Sequence, residues 1–574
     1  MSVMCARAES LLVDFESGLP ETFTYIDNDG NTPAPDTESS GFDKGVAWTS
    51  IYLSEEKNRV ACSTSWYSPA GTSDDWMILP PLKVDNEKTR LKWKAKASDP
   101  YMSDGYSVYV SAGGNSIADF TAIQPVFSVE SESDEWTAHE LDLSPYAGKE
   151  ISIAIVNNST DCAFLYVDDI SVGSPRAICT RPAMSTIARP GEDISLKAFV
   201  HTELDTAVDG FRLRLKVDDD VYDIDCADVR IEPGEETEVA LNVDVTLGAG
   251  EVRHCVLESE AGGEKNETEF DLTAFELTRV AEEFTGTWCG FCVRGIAGIQ
   301  AMNEKYPDSF IAIAMHCGGE EADPMDTHNC IDGLPAWGFE GYPYSIMNRR
   351  KEYNGDPQNM QIWYESLGLE AVKAGLKVSA EESNGEISVS ADVWFAEDEE
   401  NANYNMVYTV IENDVHQPGN GRYSQRNEYA GGSRGEMGGF EDLPAVIDSD
   451  DMWHQHVARW SFESAKGVEG MIPTRLCAGV PVSTSYRFKL PQNVLVPENT
   501  ECCVLLINSL NDQIINASKI SLRDVVGSGV NDAVSGSSEE VARYSIDGNI
   551  VTEDYKGIVI IRMSDGSVIK SMSR

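Results

Sequence analysis

Two cysteines spaced for redox chemistry stand mid-chain, in Thr285-Gly-Thr-Trp-Cys-Gly-Phe-Cys292. A thiolate at a helix N-terminus is stabilised by unpaired backbone N–H groups and by the helix dipole. That placement lowers a cysteine pKa from about 8.5 to near or below 7. By spacing, Cys289 is the nucleophile that attacks a substrate disulfide, and Cys292, one turn on and more buried, resolves the mixed disulfide. A closed structural disulfide is the other reading of the same pair. Zinc is poorly supported, because no second Cys-x-x-Cys or His pair lies nearby in sequence. The chain holds 13 cysteines. Cys62 with Cys162, Cys226 with Cys255, and Cys317 with Cys330 are candidate disulfides whose proximity the sequence leaves open. Cys502 and Cys503 are adjacent on an expected strand and face opposite sides, so Cys477 can pair with at most one of them. His454 and His456 would share one strand face; with no third ligand they read as exposed polar histidines.

The elements that must position the Cys-x-x-Cys are legible around it. Leu277-Thr-Arg-Val-Ala-Glu-Glu-Phe284 is an apolar-rich strand, and Ile296, Ile299, Met302 and Tyr306 recur at the spacing of a helix that buries one face. Pro307 ends that helix, and Phe310-Ile-Ala-Ile-Ala-Met315 reads as a second strand buried on both faces. A strand, a Cys-x-x-Cys at a helix start and a parallel strand form the context in which this motif is informative. Over residues 276–372 the sequence resembles thioredoxin-like proteins. The resemblance makes Trp288-Cys-Gly-Phe-Cys292 the active-site turn, with Phe291 where thioredoxins usually have proline. It puts Glu283 in the place of the family's buried acid, from which it would relay protons to Cys292. It puts Gly341-Tyr342-Pro343 in the place of the cis-proline loop, and implies that Trp288, Tyr342 and Pro343 hold an extended substrate segment beside the sulfurs. The insertion from Cys317 to Trp337, with His328 and Cys330, is the segment expected to cover the site.

The flanking regions read as β modules. Residues 9–174 alternate with period two, as in Leu91-Lys-Trp-Lys-Ala-Lys-Ala97, which suits half-buried antiparallel strands in a jelly roll. Asp14-Phe-Glu16, Asp75-Trp-Met-Ile-Leu-Pro80 and Val167-Asp-Asp-Ile170 resemble the cleaved-adhesin (MAM-like, choice-of-anchor) domain of Bacteroidetes surface proteins. Related jelly rolls often carry Ca²⁺, and Asp14, Glu16 and Asp168 stand where its ligands would be. Residues 176–275, with strict alternation in Phe211-Arg-Leu-Arg-Leu-Lys-Val217, read as an Ig-like β-sandwich without catalytic features. Residues 373–524 return to strands; Tyr408-Thr-Val-Ile-Glu-Asn-Asp414 and Trp453-His-Gln-His-Val-Ala-Arg459 resemble the outer-membrane-protein-28 family, over roughly 276–524. A Gly/Ser-rich linker, 525–540, precedes 541–574, where Tyr544-Ser-Ile-Asp-Gly548, Lys556-Gly557 and Ile561-Arg-Met563 resemble the C-terminal sorting domain of type IX secretion. Residues 1–8, ending in Ala6-Arg7-Ala8, read as a signal peptide remnant.

The expected fold class is therefore multidomain and mainly β. It comprises a jelly-roll β-sandwich, an Ig-like β-sandwich, an α/β thioredoxin-like domain, a second β-sandwich and a small C-terminal β sorting domain. The chain of 574 residues carries 96 acidic against 44 basic side chains, a formal charge of −52. Such a surface repels phosphate, which argues against nucleic acid and bare anionic lipid as partners. No stretch approaches the ~20 apolar residues that cross a bilayer as a helix. A glycoside hydrolase would need a recognisable pair of carboxylates, and none stands out. The expectation is a cell-surface, outer-membrane or secreted protein that combines an adhesion module with thiol–disulfide exchange, or an adhesin whose α/β unit is scaffold alone. Expected partners are the type IX machinery, a host matrix protein or glycan, and a disulfide-containing protein or thiol. No cofactor is required, and structural calcium is the one candidate.

Overall fold

The computed structural model describes residues 11–526, except 17, 55, 57, 85, 320–321, 332–333, 335–340 and 369, together with 540–545, 557–563 and 568–573. The signal-remnant reading and nearly all of the linker lie outside the described residues.

Period-two alternation builds the first module as expected. In strand Arg90–Ala97, Leu91, Trp93, Ala95 and Ala97 are buried while Lys92 and Lys94 face solvent. This strand belongs to a six-stranded antiparallel sheet in which Phe164–Gly173 is central and receives Leu11–Val13 at its end. A second six-stranded sheet runs Thr24–Asp27, Asp75–Ile78, Glu150–Asn157, Tyr106–Ser111, Phe127–Val129, with Leu82–Lys83 beside Glu150–Asn157. Trp93 and Val167 from one sheet meet Met77, Val108 and Ile153 from the other in one core, which makes a β-sandwich. The second module opposes a three-stranded sheet to a five-stranded one around Leu196, Leu213, Leu215, Leu257 and Phe270.

Beyond residue 276 an eight-stranded mixed sheet carries the Cys-x-x-Cys unit. Its order is Asn354–Gly355, Tyr344–Met347, Arg279–Thr285, Phe310–His316, Val457–Ser461, Tyr404–Glu412, Thr500–Asn508, Ile514–Ser521. Arg279–Thr285 pairs in parallel with Phe310–His316 across the helix Val293–Lys305, and Phe310–His316 joins Val457–Ser461 through Ala314 and Val457. The sheet thus crosses the boundary read at 372/373 and makes one body of the two regions. Its second half also lies against a three-stranded sheet, Ala374–Ser383, Glu386–Phe395 and Val482–Phe488. Cys502 faces that inner core and Cys503 the opposite one, as adjacent strand residues must. Two fully buried ion pairs brace the sheet, Glu282 with Arg349 and Glu412 with Arg459. At the C-terminal end Glu540–Ser545, Gly557–Met563 and Val568–Ser573 form a three-stranded antiparallel sheet. Among the described residues no helix is long and apolar enough to cross a membrane.

Three expected disulfides are absent, and register explains two of them. Cys226 lies opposite Phe211 and Cys255 opposite Val217, on either side of the intervening strand Val208–Val217. Two strand spacings of about 4.8 Å, plus the offset along the strand, exceed the ~7 Å that a disulfide spans between Cα atoms. Cys62 is opposite Tyr166, whereas Cys162 precedes Phe164, whose partner is Thr64. The resulting four-residue offset is about 13 Å. Cys317 lies beside Tyr342, while Cys330 is buried with Ile311, Ile313 and Cys503 in the core of the sheet. All six are free thiols. Cys502 and Cys503 are free as well, and Cys477 carries a disulfide bond.

Candidate functional site

Cys289 and Cys292 form a disulfide, their Cα atoms 5.4 Å apart, at the start of the helix Val293–Lys305. The turn is closed by Cys292 N–H to Cys289 O at 3.2 Å, and Gly295 N–H continues to Cys292 O at 2.9 Å. Cys292 is fully buried and Cys289 is 7% exposed, so the order of accessibility is the expected one but neither sulfur stands open to solvent. Phe291, between them, is exposed, with the guanidinium of Arg434 4.9 Å and that of Arg294 5.8 Å from its ring centre. Each guanidinium is paired with a carboxylate, Arg294 with Asp356 at 2.9 Å and Arg434 with Glu428 at 3.8 Å, so what favours negative charge at the sulfurs is the helix N-terminus.

The cover over the motif comes from an unexpected place. Arg426 N–H donates to Thr287 O and Glu428 N–H to Gly290 O, each at 2.9 Å, while the Gln425 side-chain amide donates to Cys289 O at 3.0 Å. A Cβ on Gly290 would collide with Glu428, so glycine between the cysteines is what lets this strap lie flat. The insertion after Cys317 contributes Asp323 instead, which accepts from Thr287 N–H and from His316 Nδ1, both at 2.8 Å. Burial pushes the Asp323 carboxyl up, but His316 and the backbone donors outweigh it and hold the group down at about 2.

Glu283 lies behind the motif as expected. It is 1% exposed, and a Cβ on Gly295 would collide with its Oε1, so the glycine in the helix makes the carboxyl's room. Oε1 is buried with no hydrogen-bond partner, and burial pushes the group up to about 8, partly offset by Thr285. Tyr342–Pro343 is a cis peptide, Pro343 is buried, and the Trp288 ring meets Tyr342 edge-on at 5.1 Å. Trp288 Nε1 donates to Cys317 O at 2.8 Å, and burial pushes the Cys317 thiol up to about 12. The structure therefore brings Glu283, Trp288, Cys289, Cys292, Tyr342 and Pro343 together.

His454 and His456 are not the exposed histidines of the sequence reading. His454 is buried and donates from Nε2 to Tyr423 O at 2.9 Å; His456 sits at φ 56°, so strand alternation does not apply to it. Burial lowers both to about 4.

The acidic residues of the first module share a pocket of about 380 Å³ in which Asp14, Glu16 and Asp168 meet Asn58, Lys94 and Arg475. Asn58 donates to Asp168 Oδ2 at 2.8 Å, and Lys94 pairs with Asp169 at 2.7 Å. Burial, then repulsion from Asp169, raises Asp168 to about 8; burial raises Glu16 to about 7. The tighter acidic group lies elsewhere: Asp27, Asp29 and Asp75 are the carboxylates, among the described residues, whose ligand atoms fall within 4.8 Å of one another. Asp75 there already accepts from Tyr67 Oη at 2.9 Å and Ser73 Oγ at 2.8 Å. The run Asp27-Asn-Asp-Gly30 was a visible signal for two of its members.

Comparison with known proteins divides by module. Residues 9–172 match the family model for the Cleaved Adhesin Domain, and residues 334–525 that for Outer membrane protein Omp28. Hemagglutinin A of Porphyromonas gingivalis is 27% identical over 180 residues, which is 27% of this chain and 6% of that protein. The chain thus spans a small fraction of the relative's length. Among solved structures, the K3 cleaved adhesin domain of Lys-gingipain from the same organism is 24% identical, over 29% of this chain and 97% of that one, with a TM-score of 0.23. HBP35 of P. gingivalis is 15% identical, over 52% of this chain and 99% of that one, with a TM-score of 0.31.

Proposed function

We propose that this chain is a cell-surface or outer-membrane ligand-binding protein that carries a redox-active disulfide in a thioredoxin-like unit. The observation that carries the redox reading is the Cys289–Cys292 disulfide at a helix N-terminus, backed by Glu283, whose Oε1 has no hydrogen-bond partner, with the cis Tyr342–Pro343 peptide in the same unit. In the reduced protein the Cys289 thiolate attacks one sulfur of a substrate disulfide; a mixed disulfide forms and the other substrate sulfur leaves as thiolate. Cys292 loses its proton to the minor ionised fraction of Glu283, which burial keeps mostly protonated at neutral pH, and then attacks Cys289, which closes the intramolecular disulfide and releases the second substrate sulfur. The strap at Gln425–Tyr429 has to yield for a protein substrate, since Cys289 is 7% exposed.

The adhesion reading rests on the cleaved-adhesin match of residues 9–172, and its partners would be a host matrix protein or glycan. Type IX machinery is the proposed partner of 541–574. A second reading, in which the disulfide is structural and the chain an adhesin alone, is favoured by that same burial of Cys289. Reduction of a protein disulfide by the whole chain, compared with Cys289→Ser, separates the two: equal rates would leave only the adhesin.

Calcium would be held by Asp14, Glu16 and Asp168, and would favour the ionised forms of Glu16 and Asp168 that burial opposes. Without it, the first module loses stability as pH rises from about 4 to 8. Native Asp168, raised from 3.8 to about 8, keeps a proton that the unfolded chain releases, so that contribution is full below 4 and gone above 8. Calcium at about a hundred times its dissociation constant should add about 2.7 kcal/mol. Thermal melts with calcium and with chelator check this, and Asp168→Asn should remove the shift; a melting temperature indifferent to calcium in the wild type would dismiss the site.

A further inference from the structure

Behind the helix Val293–Lys305 lies a cavity of about 630 Å³ that the redox reading does not fill, although Glu283 belongs to both. Its floor is the sheet, through Glu283 and His316; one wall is the helix, through Ile299; the other is the segment carrying Met452, His454 and His456. The volume lies within the range of small-molecule sites, and the lining is mainly apolar, as such sites are.

Polar residues of the lining divide in two: Gln300, Glu304, Asp451 and Gln455 are exposed, whereas Glu283 and His454 are buried, and the inner groups are incompletely paired. Glu283 Oε1 and His456 Nδ1 have no hydrogen-bond partner, although Asn303 Nδ2 lies 2.9 Å from His456 Nε2 and His454 Nε2 is taken by Tyr423 O. A buried polar atom without a partner costs about 1–3 kcal/mol, and two of them around one apolar space point to a missing partner. Burial disfavours charge on three of the lining groups at neutral pH, with Glu283 held up at about 8 and both His454 and His456 held down at about 4, whereas Glu304 and Asp451 are exposed carboxyl residues of the same lining. A charged ligand would lose its hydration against the apolar part of this lining, and an anion would also meet Glu304 and Asp451 with no lysine or arginine among the lining residues. An uncharged molecule with a flat apolar body and one carbonyl or hydroxyl group gains the apolar contact and satisfies Glu283.

We infer that this cavity is a binding site for an uncharged, largely apolar small molecule, anchored by a hydrogen bond to Glu283. The site is separate from the sulfurs and stands whether or not the disulfide turns over.

The test uses the full chain and the neutral naphthalene ketone 6-propionyl-2-(dimethylamino)naphthalene, whose emission shifts to the blue in apolar surroundings. Saturable one-to-one binding with a blue shift is expected. Ile299→Trp, which fills the cavity, should weaken it by about ten-fold or more. Leu443→Arg, which places a charge at the exposed rim without touching the core, should do the same. The rim variant keeps the test decisive if the core variant does not fold. Absence of saturable binding would overturn the inference, leaving a water-filled space; binding that neither folded variant weakens would place the probe elsewhere and overturn it equally.

Discussion

Arg349→Met should lower the stability of the eight-stranded sheet by about 3–5 kcal/mol, the cost of breaking a buried ion pair from one side. Arg349 and Glu282 are each 1% exposed, with Nη2 to Oε1 at 2.7 Å and Nε to Oε2 at 2.9 Å, and Arg349 Nη1 donates to Ala465 O at 2.6 Å. Methionine fills much of the arginine's volume but leaves the Glu282 carboxylate and the Ala465 carbonyl in the core without that donor. Because strand residues alternate, Glu282 faces away from Glu283, so the pair braces the strand from the side opposite the Cys helix. A double change, Glu282→Leu with Arg349→Met, should recover most of the loss, since replacing both charges with apolar groups is often neutral. Hydrogen exchange of Arg279–Thr285 amides under denaturant reads the effect. A loss below about 1 kcal/mol would mean that the carboxylate finds water or another donor.

Cys289→Ser should abolish reduction of a protein disulfide, and Cys292→Ser should instead stop the reaction at a mixed disulfide on Cys289. The difference follows from place: Cys289 is the more exposed sulfur, and Cys292 is fully buried at the helix start. Without Cys292 no internal thiolate can release the substrate, because Cys317, the nearby free thiol, is pushed up to about 12 by burial and stays protonated. Mass spectrometry of the trapped adduct distinguishes the two variants. Adduct formation in Cys289→Ser at the rate of Cys292→Ser would reverse the assigned roles.

Local patterning carried much of this molecule. The alternation in Leu91–Ala97 set a strand's buried face, and the spacing of Ile296, Ile299 and Met302 set a helix whose start holds the Cys289–Cys292 disulfide. Glu283 and Pro343 were reached through resemblance, and their positions beside the disulfide follow it. What local pattern could not supply was strand register. Cys226 and Cys255 each look like half of a disulfide until an intervening strand separates them. Nor could it supply contacts of long sequence separation: Gln425, more than a hundred residues on, closes over Cys289, and Val457 enters the sheet beside Ala314. His454 and His456 precede the strand Val457–Ser461, and the backbone at His456 turns to φ 56°, so the strand pattern assumed for them did not hold.

The central claim, that Cys289–Cys292 is a working disulfide, is tested most directly by its reduction potential, measured in the whole chain at equilibrium with glutathione or dithiothreitol buffers. The free cysteines buried in their cores stay outside this equilibrium, and Cys477 is distinguished by following the two peptides separately. A potential between about −270 and −120 mV, the span of known exchange proteins, is the result predicted here. A value below about −300 mV, where structural disulfides of secreted proteins lie, would contradict it and leave the pair as a clasp on the helix.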